Sequence, residues 1–315
     1  MENRKAMKFL VIDKVHTVLC EMLSEAGHQC DYLPDISAKD VLGKLPEYQG
    51  LILRSKIKVD KQVIDSAPQL RVIGRVGSGM ENIDTDYARD RGIICLNSPE
   101  GNRDSVGEHT VALMLALLHN VCRAHSEVRQ GLWRREDNRG YELMDKVVGI
   151  IGYGNTGSAV AERLQSFGVH ILAYDKYKKG FGNDYVREVD LDQIFEHTDI
   201  LSLHVPLTEE TRYMVNKRFI QRFRKRFYLI NTSRGQVVKT SDLVKFLKKG
   251  KIYGAALDVL EYEKHNFDLN ADNADLSYLR TADNVILTPH IAGLTRQSYY
   301  KLSRVMAEKI LSALS

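Results

Sequence analysis

The sequence predicts an α/β protein built from two doubly wound parallel sheets. Short apolar strands alternate with helical segments from end to end, the pattern of parallel sheets covered by helices on both faces. A glycine fingerprint, Gly152, Gly154 and Gly157, stands near the middle of the 315 residues, so about half of the chain precedes it.

In the first third, Lys8–Asp13, Gln29–Leu33, Leu51–Ser55, Val72–Val76 and Ile93–Leu96 read as strands. Between them, His16–Ala26 and Lys61–Ala67 read as helices. Ser105–Arg129 reads as one long helical segment joining the two units. After it comes Gly131-Leu132-Trp133-Arg134-Arg135, with the only tryptophan. An aromatic beside paired arginines suits a subunit contact; packing on its own domain is equally open. The second unit holds six strand candidates, starting at Val147, Val169, Ile200, Tyr228, Ala255 and Val285. Six strands complete a dinucleotide-binding fold.

The fingerprint follows the apolar, β-branched run Val147–Ile151 and opens a helix expected from about Thr156 to Phe167, ending at Gly168. The first glycine makes the tight turn and the second lets backbone approach a pyrophosphate. The third lets helix and strand pack closely, with the phosphates on the helix N-terminus. The next strand, Val169–Tyr174, delivers Asp175. An acid roughly 20 residues past the glycines holds the adenine-ribose hydroxyls of NAD. Its charge should repel the 2′-phosphate of NADP, a preference that Lys176, Lys178 and Lys179 would soften.

Composition narrows the function classes. A net charge of +4 does not suggest a nucleic-acid binder. The densest basic stretch, Arg222, Arg224, Lys225 and Arg226, reads as a solvated helix end. Cys20, Cys30, Cys95 and Cys122 form no C-x-x-C pair and match no metal-ligand spacing. They read as free thiols in a reducing, cytoplasmic setting. Near the N-terminus, charges at Glu2, Arg4 and Lys5 precede the apolar Phe9–Ile12, which is too short for a signal peptide. The longest apolar run, Val111–Leu118, is far below the ~20 residues of a membrane helix.

Three residues follow strands of the second unit and carry complementary chemistry. Arg234 lies in Asn231-Thr232-Ser233-Arg234-Gly235, Glu263 lies soon after Ala256-Leu257-Asp258-Val259, and His290 follows Thr288-Pro289. Ligands of open α/β sheets bind outside the carboxyl ends of strands, so all three can converge there. A guanidinium clamps a carboxylate, an imidazole moves a proton near neutral pH, and a carboxylate orients that imidazole.

With these motifs in this order the chain resembles the D-isomer-specific 2-hydroxyacid dehydrogenases over nearly its whole length. The shared segments are 50–55, 74–84, the fingerprint, His-Val-Pro-Leu-Thr at 204–208, 231–235, 254–259 and Thr-Pro-His-Ile-Ala-Gly at 288–293. The resemblance implies a Rossmann NAD-binding domain, residues 99–290, inserted into a flavodoxin-like substrate domain, residues 1–98 and 291–315. The helix from about Gln297 would return to the first domain, and the catalytic cleft would lie between domains that close on ligand. Arg234 would bind the substrate carboxylate, with His290 as acid–base catalyst and Glu263 as its partner. Asp258 would meet the nicotinamide carboxamide. Gly152, Gly154, Asn155, Thr156, Gly157, Asp175, His204, Pro206, Thr232, Ser233 and Gly293 would complete the cofactor site. Backbone N–H groups of Val76 and Gly77 would face the carboxylate, with Ser55 and Asn102 nearby.

Arg54 and Arg75 match positions that imply a substrate phosphate, hence 3-phospho-D-glycerate as the 2-hydroxy acid. If they are ordinary surface arginines, glycerate, glyoxylate or D-lactate takes its place. The same fold also serves in NAD-sensing transcriptional corepressors, a non-enzymatic alternative. A homodimer through the Trp133 region of the NAD-binding domain is expected. The segment between Glu263 and His290 is longer and more polar than in some relatives. The chain ends at Ser315 without the C-terminal regulatory domain of many relatives, so feedback control through such a domain is not expected.

Overall fold

Parallel pairing is possible here because every strand is followed by a crossover long enough to reverse the chain. The computed structural model describes residues 6–263 and 273–315 and divides into two units, Met1–Arg103 with Leu294–Ser315, and Asp104–Gly293. The charged residues Glu2, Arg4 and Lys5 and most of the polar stretch after Glu263 lie outside the described residues.

The first unit runs β1 (Lys8–Val11), α1 (Val18–Glu25), β2 (Gln29–Tyr32), α2 (Ala38–Lys44), β3 (Gly50–Leu53), α3 (Lys61–Asp65), β4 (Val72–Arg75), α4 (Thr85–Asp90) and β5 (Ile94–Asn97). All five strands are parallel in the order β2-β1-β3-β4-β5, the flavodoxin-like arrangement. Short polar side chains start the helices. Ser37, Asp60 and Asp84 each accept the backbone N–H three residues on. The C-terminal helix Arg296–Ala313 belongs to this unit, and Met306 and Ile310 are fully buried against its sheet. Gly74 leaves room for them, since a Cβ there would stand 2.9 Å from the Met306 sulfur.

The second unit runs α5 (Arg103–Leu118), α6 (Val121–Arg129), β6 (Val147–Ile151), α7 (Asn155–Leu164), β7 (His170–Tyr174), β8 (Val186–Glu188) and α8 (Leu191–His197). It continues through β9 (Ile200–Leu203), α9 (Lys217–Arg222), β10 (Phe227–Asn231), α10 (Thr240–Lys248), β11 (Ile252–Leu257), α11 (Ala274–Thr281) and β12 (Val285–Leu287). The seven strands are parallel in the order β12-β11-β10-β9-β6-β7-β8. Read from its β8 edge, this is the strand order of a dinucleotide-binding sheet with one strand added.

Two expectations are corrected here. Seven strands replace six, because β8 is a three-residue edge strand with only Val186 buried. A single apolar residue leaves no periodic signal to detect. The long helix also breaks into α5 and α6 at Asn120, which adopts a left-handed conformation with φ 54. Asparagine tolerates that region better than other non-glycine residues. The freed Leu118 carbonyl accepts the Tyr141 N–H at 3.0 Å, so a later segment caps the end of α5. Three residues of the basic stretch are paired: Arg222 meets Asp192 at 2.5 Å, Lys225 meets Asp199 at 3.1 Å, and Arg224 pairs with Glu196. Among the described residues no helix is long and apolar enough to cross a membrane.

Candidate active site

The glycine turn after β6 is shaped by close backbone approaches. Gly152 takes φ 92, and a Cβ there would stand 2.5 Å from the His204 carbonyl oxygen. At Gly157 a Cβ would lie 2.0 Å from the Gly152 carbonyl oxygen, so the first turn of α7 sits against the loop. Gly154 instead faces open space, with nothing within 4 Å of the position a Cβ would fill. No side chain caps α7, and Asn155, Thr156 and Gly157 form its first turn. Open space at an uncapped helix N-terminus is the cradle a pyrophosphate requires. The helix then closes through a 3-10 turn at Gly168, φ 65.

Asp175 follows β7. Its carboxylate accepts the N–H groups of Tyr153 at 2.8 Å, Tyr177 at 2.9 Å and Lys178 at 2.9 Å. Burial pushes its carboxyl upward, but the three N–H donors outweigh that and hold it below the usual range. It is therefore ionised at neutral pH.

His204 follows β9 and is buried, 8% exposed. Its Nε2 meets the Ser202 hydroxyl at 2.7 Å, while Nδ1 has no hydrogen-bond partner among the described residues. Burial pushes its pKa from 6.5 down to about 3. Between those values the unfolded chain binds a proton that the folded chain refuses, so stability falls as pH drops through 6.5. By pH 5 the loss from His204 alone should reach ~2 kcal/mol. Urea denaturation of the wild type at pH 7.5 and 5 reads this loss. In His204→Asn the pH-dependent difference should shrink by that amount, and an unchanged difference would disprove the assignment.

The catalytic candidates cluster at the carboxyl ends of β10, β11 and β12. The His290 Nδ1 and the Glu263 Oε1 stand 2.5 Å apart, with side chains only 26% and 14% exposed. His290 sits in the left-handed region with φ 55, a conformation uncommon among non-glycine residues, although histidine adopts it more often than most. Strain of this kind persists only where the surroundings over-determine the backbone. Here Asp258 does so. Its carbonyl accepts the His290 N–H at 2.8 Å, and its carboxylate accepts Ile291 N–H, Ala292 N–H and the Thr288 hydroxyl at 2.9, 2.9 and 2.6 Å. Asp258, expected at the nicotinamide carboxamide, thus spends its carboxylate on shaping the histidine loop.

Arg234 follows β10. Its carbonyl accepts the Asn231 side-chain amide at 3.0 Å, and Asn231 Oδ1 accepts both N–H and hydroxyl of Ser233. Gly235 is required next, because a Cβ there would lie 1.9 Å from the Leu260 carbonyl oxygen. Residues of α5 that sequence reading missed brace both loops. The Ser105 hydroxyl donates to the Ala292 carbonyl at 2.6 Å, His109 Nε2 meets the Thr288 hydroxyl at 3.2 Å, and Thr110 meets Thr232 at 2.9 Å. Ser105 and His109 stand one helical turn apart, which was the available signal, and Thr110 adjoins His109. Pro206 accepts the Thr211 hydroxyl at 2.6 Å through its carbonyl, and Gly293 closes the unit.

In the first unit, Arg54 and Arg75 stand at the ends of neighbouring strands, where Leu53 pairs with Arg75. Asp13 holds this turn by accepting the N–H groups of Arg54, Ser55 and Lys56 at 2.6, 3.1 and 3.2 Å. Arg75 Nε donates to the Arg54 carbonyl at 3.3 Å. One expectation fails in this unit. The N–H groups of Val76 and Gly77 do not await a carboxylate, because Val76 donates to the Leu53 carbonyl at 2.8 Å and Gly77 to the Ser98 hydroxyl at 3.2 Å. Extension of the sheet pairing past β4 consumes the first, and a buried serine consumes the second. Asn102 accepts the Ser78 hydroxyl at 2.8 Å. Among the described residues no cluster of three His, Cys, Asp or Glu could hold a metal ion.

Residues 111–292 match the family described as D-isomer specific 2-hydroxyacid dehydrogenase, NAD binding domain. A D-3-phosphoglycerate dehydrogenase of Archaeoglobus fulgidus is 34% identical over 97% of this chain. The chain spans only 57% of that relative's length. A hydroxypyruvate reductase of Thermotoga maritima is 37% identical over 88% of each chain. The crystal structure of a D-lactate dehydrogenase from Aquifex aeolicus, complexed with NAD and lactic acid, superposes with a TM-score of 0.82 at 27% identity, covering 97% of this chain and 95% of that one.

Proposed function

The chain belongs to the D-isomer-specific 2-hydroxyacid dehydrogenases, and from that premise we propose that it oxidises 3-phospho-D-glycerate to 3-phosphohydroxypyruvate with NAD. The observation that carries the reaction type is the close His290–Glu263 pair on a loop shaped by Asp258. NAD, bound at the glycine cradle and Asp175, supplies the hydride acceptor.

The roles of the protein groups follow from their geometry. Glu263 holds Nδ1 of His290, which leaves Nε2 as the atom that exchanges a proton with the substrate oxygen. In oxidation Nε2 takes the hydroxyl proton; in reduction it returns that proton to the carbonyl oxygen. Arg234 clamps the substrate carboxylate with its planar fork, which an ammonium cannot reproduce. Thr232, Ser233, His204, Pro206 and Gly293 are proposed neighbours of the cofactor.

Arg54 and Arg75, at adjacent strand ends, support phosphate recognition and hence the phosphorylated acid. NADH formation with 3-phosphoglycerate, glycerate and D-lactate in parallel tests this choice. The highest kcat/KM is expected with 3-phosphoglycerate. A strong preference for an unphosphorylated acid would remove the phosphate role, and activity with none would favour a binding platform. A homodimer is proposed through the segment carrying Trp133, a residue that is 78% exposed. A reducing, cytoplasmic setting fits the four unpaired thiols.

A further inference from the structure

The adenine-ribose end of the proposed cofactor site holds more charge than its function there requires. Asp175 is followed by Lys176, Tyr177, Lys178 and Lys179. Lysines at this place are well suited to receive a 2′-phosphate, as point charges on flexible stems. In this chain each is engaged elsewhere. Lys178 Nζ reaches the Tyr153 carbonyl at 3.4 Å and lies over the Tyr153 ring, 5.3 Å from its centre. Lys179 Nζ donates to the Asp175 carbonyl at 3.1 Å and lies over the Tyr174 ring at 5.7 Å.

Lys176 is different, because its partner is a carboxylate from another part of the unit. Glu210, in the loop between β9 and α9, accepts Lys176 Nζ at 2.5 Å on one oxygen and the Tyr177 hydroxyl at 2.7 Å on the other. Lys176 also lies 5.4 Å from the Tyr177 ring centre, so the three side chains form one network rather than an isolated surface pair. Lys176 and Glu210 remain about half exposed, 53% and 48%, within reach of a ligand in solvent.

We propose that Glu210 determines cofactor choice by holding Lys176 in an ion pair, which keeps its ammonium from meeting a 2′-phosphate. A 2′-phosphate then meets the Asp175 carboxylate while the Lys176 ammonium is held by Glu210. A ribose carrying a free 2′-hydroxyl meets no such penalty. This inference rests on the reading of the fingerprint and Asp175 as the NAD site.

The test is a direct binding titration of NADH and NADPH, followed by nicotinamide fluorescence, on five proteins: wild type, Glu210→Gln, Glu210→Asp, Lys176→Met and the Glu210→Gln/Lys176→Met double variant. In Glu210→Gln the ratio of NADPH Kd to NADH Kd should fall by about two- to fivefold, the scale of one exposed charge contact. Raising the ionic strength should erase most of that gain, because the groups are exposed to screening. The double variant should show no gain, since the released ammonium is gone. An unchanged ratio in Glu210→Gln would overturn the proposal, and so would a full gain that survives the loss of Lys176. Failure of the wild type to bind NADH would bring down the cofactor reading itself, a result distinct from either of these. Glu210→Asp should restore the wild-type ratio in part, which a merely structural role for residue 210 would not predict.

Discussion

Replacing His290 by alanine lowers kcat by about 10²–10⁴-fold, the value of a positioned acid–base group. The imidazole can act as a base and has a carboxylate fixing its second nitrogen, at 2.5 Å. The residue's φ of 55 complicates a simple reading of the variant. Alanine at that backbone position keeps the strain while losing the side chain, so loop movement could mimic lost chemistry. His290→Asn separates the two effects, because asparagine tolerates the left-handed region and cannot act as the base. Both variants should lose kcat to a similar degree while NADH binding holds. Near-wild-type turnover in either would remove His290 from the mechanism.

Arg234→Lys should cost about 10²-fold in kcat/KM, since truncating a hydrogen-bonded charge contact costs 2–5 kcal/mol or more. The backbone of Arg234 is fixed from both sides, by the Asn231 amide and by the Leu260 carbonyl packed against Gly235. The lysine will therefore be held where the arginine was, and the loss will report the missing fork rather than a displaced chain. Steady-state kinetics with the preferred acid checks this result. An unchanged kcat/KM would argue against a carboxylate clamp at this position.

Much of this architecture was legible because local chemistry and tertiary structure agreed. The helix expected to end at Gly168 does so, since a residue in the left-handed region stops a helix wherever it lies. The strand after it begins within a residue of its expected start and delivers Asp175. The C-terminal helix begins at Arg296, one residue before its expected start, behind a capping box at Thr295 and Ser298. Where pattern was weak, reading failed. Val186–Glu188 joins the sheet through backbone pairing with β7 and buries the side chain of Val186 alone. Asn120 interrupts a helix whose apolar periodicity shows no break, because a carbonyl end-capped by Tyr141 cannot be read from the helix itself.

The sequence by itself determined the class of protein: two parallel α/β units, a dinucleotide turn at Gly152, and the three side chains Arg234, Glu263 and His290. These were readable because they depend on residue type at fixed spacing near strand ends. Only the tertiary structure decided how those side chains are held and which neighbours are spent. It turned Asp258 into the organiser of the histidine loop and used up the N–H groups of Val76 and Gly77. It also brought Glu210 to Lys176 across the unit. Such pairings depend on which hydrogen-bonding groups meet once distant segments are packed, and distance along the chain carries no record of that meeting.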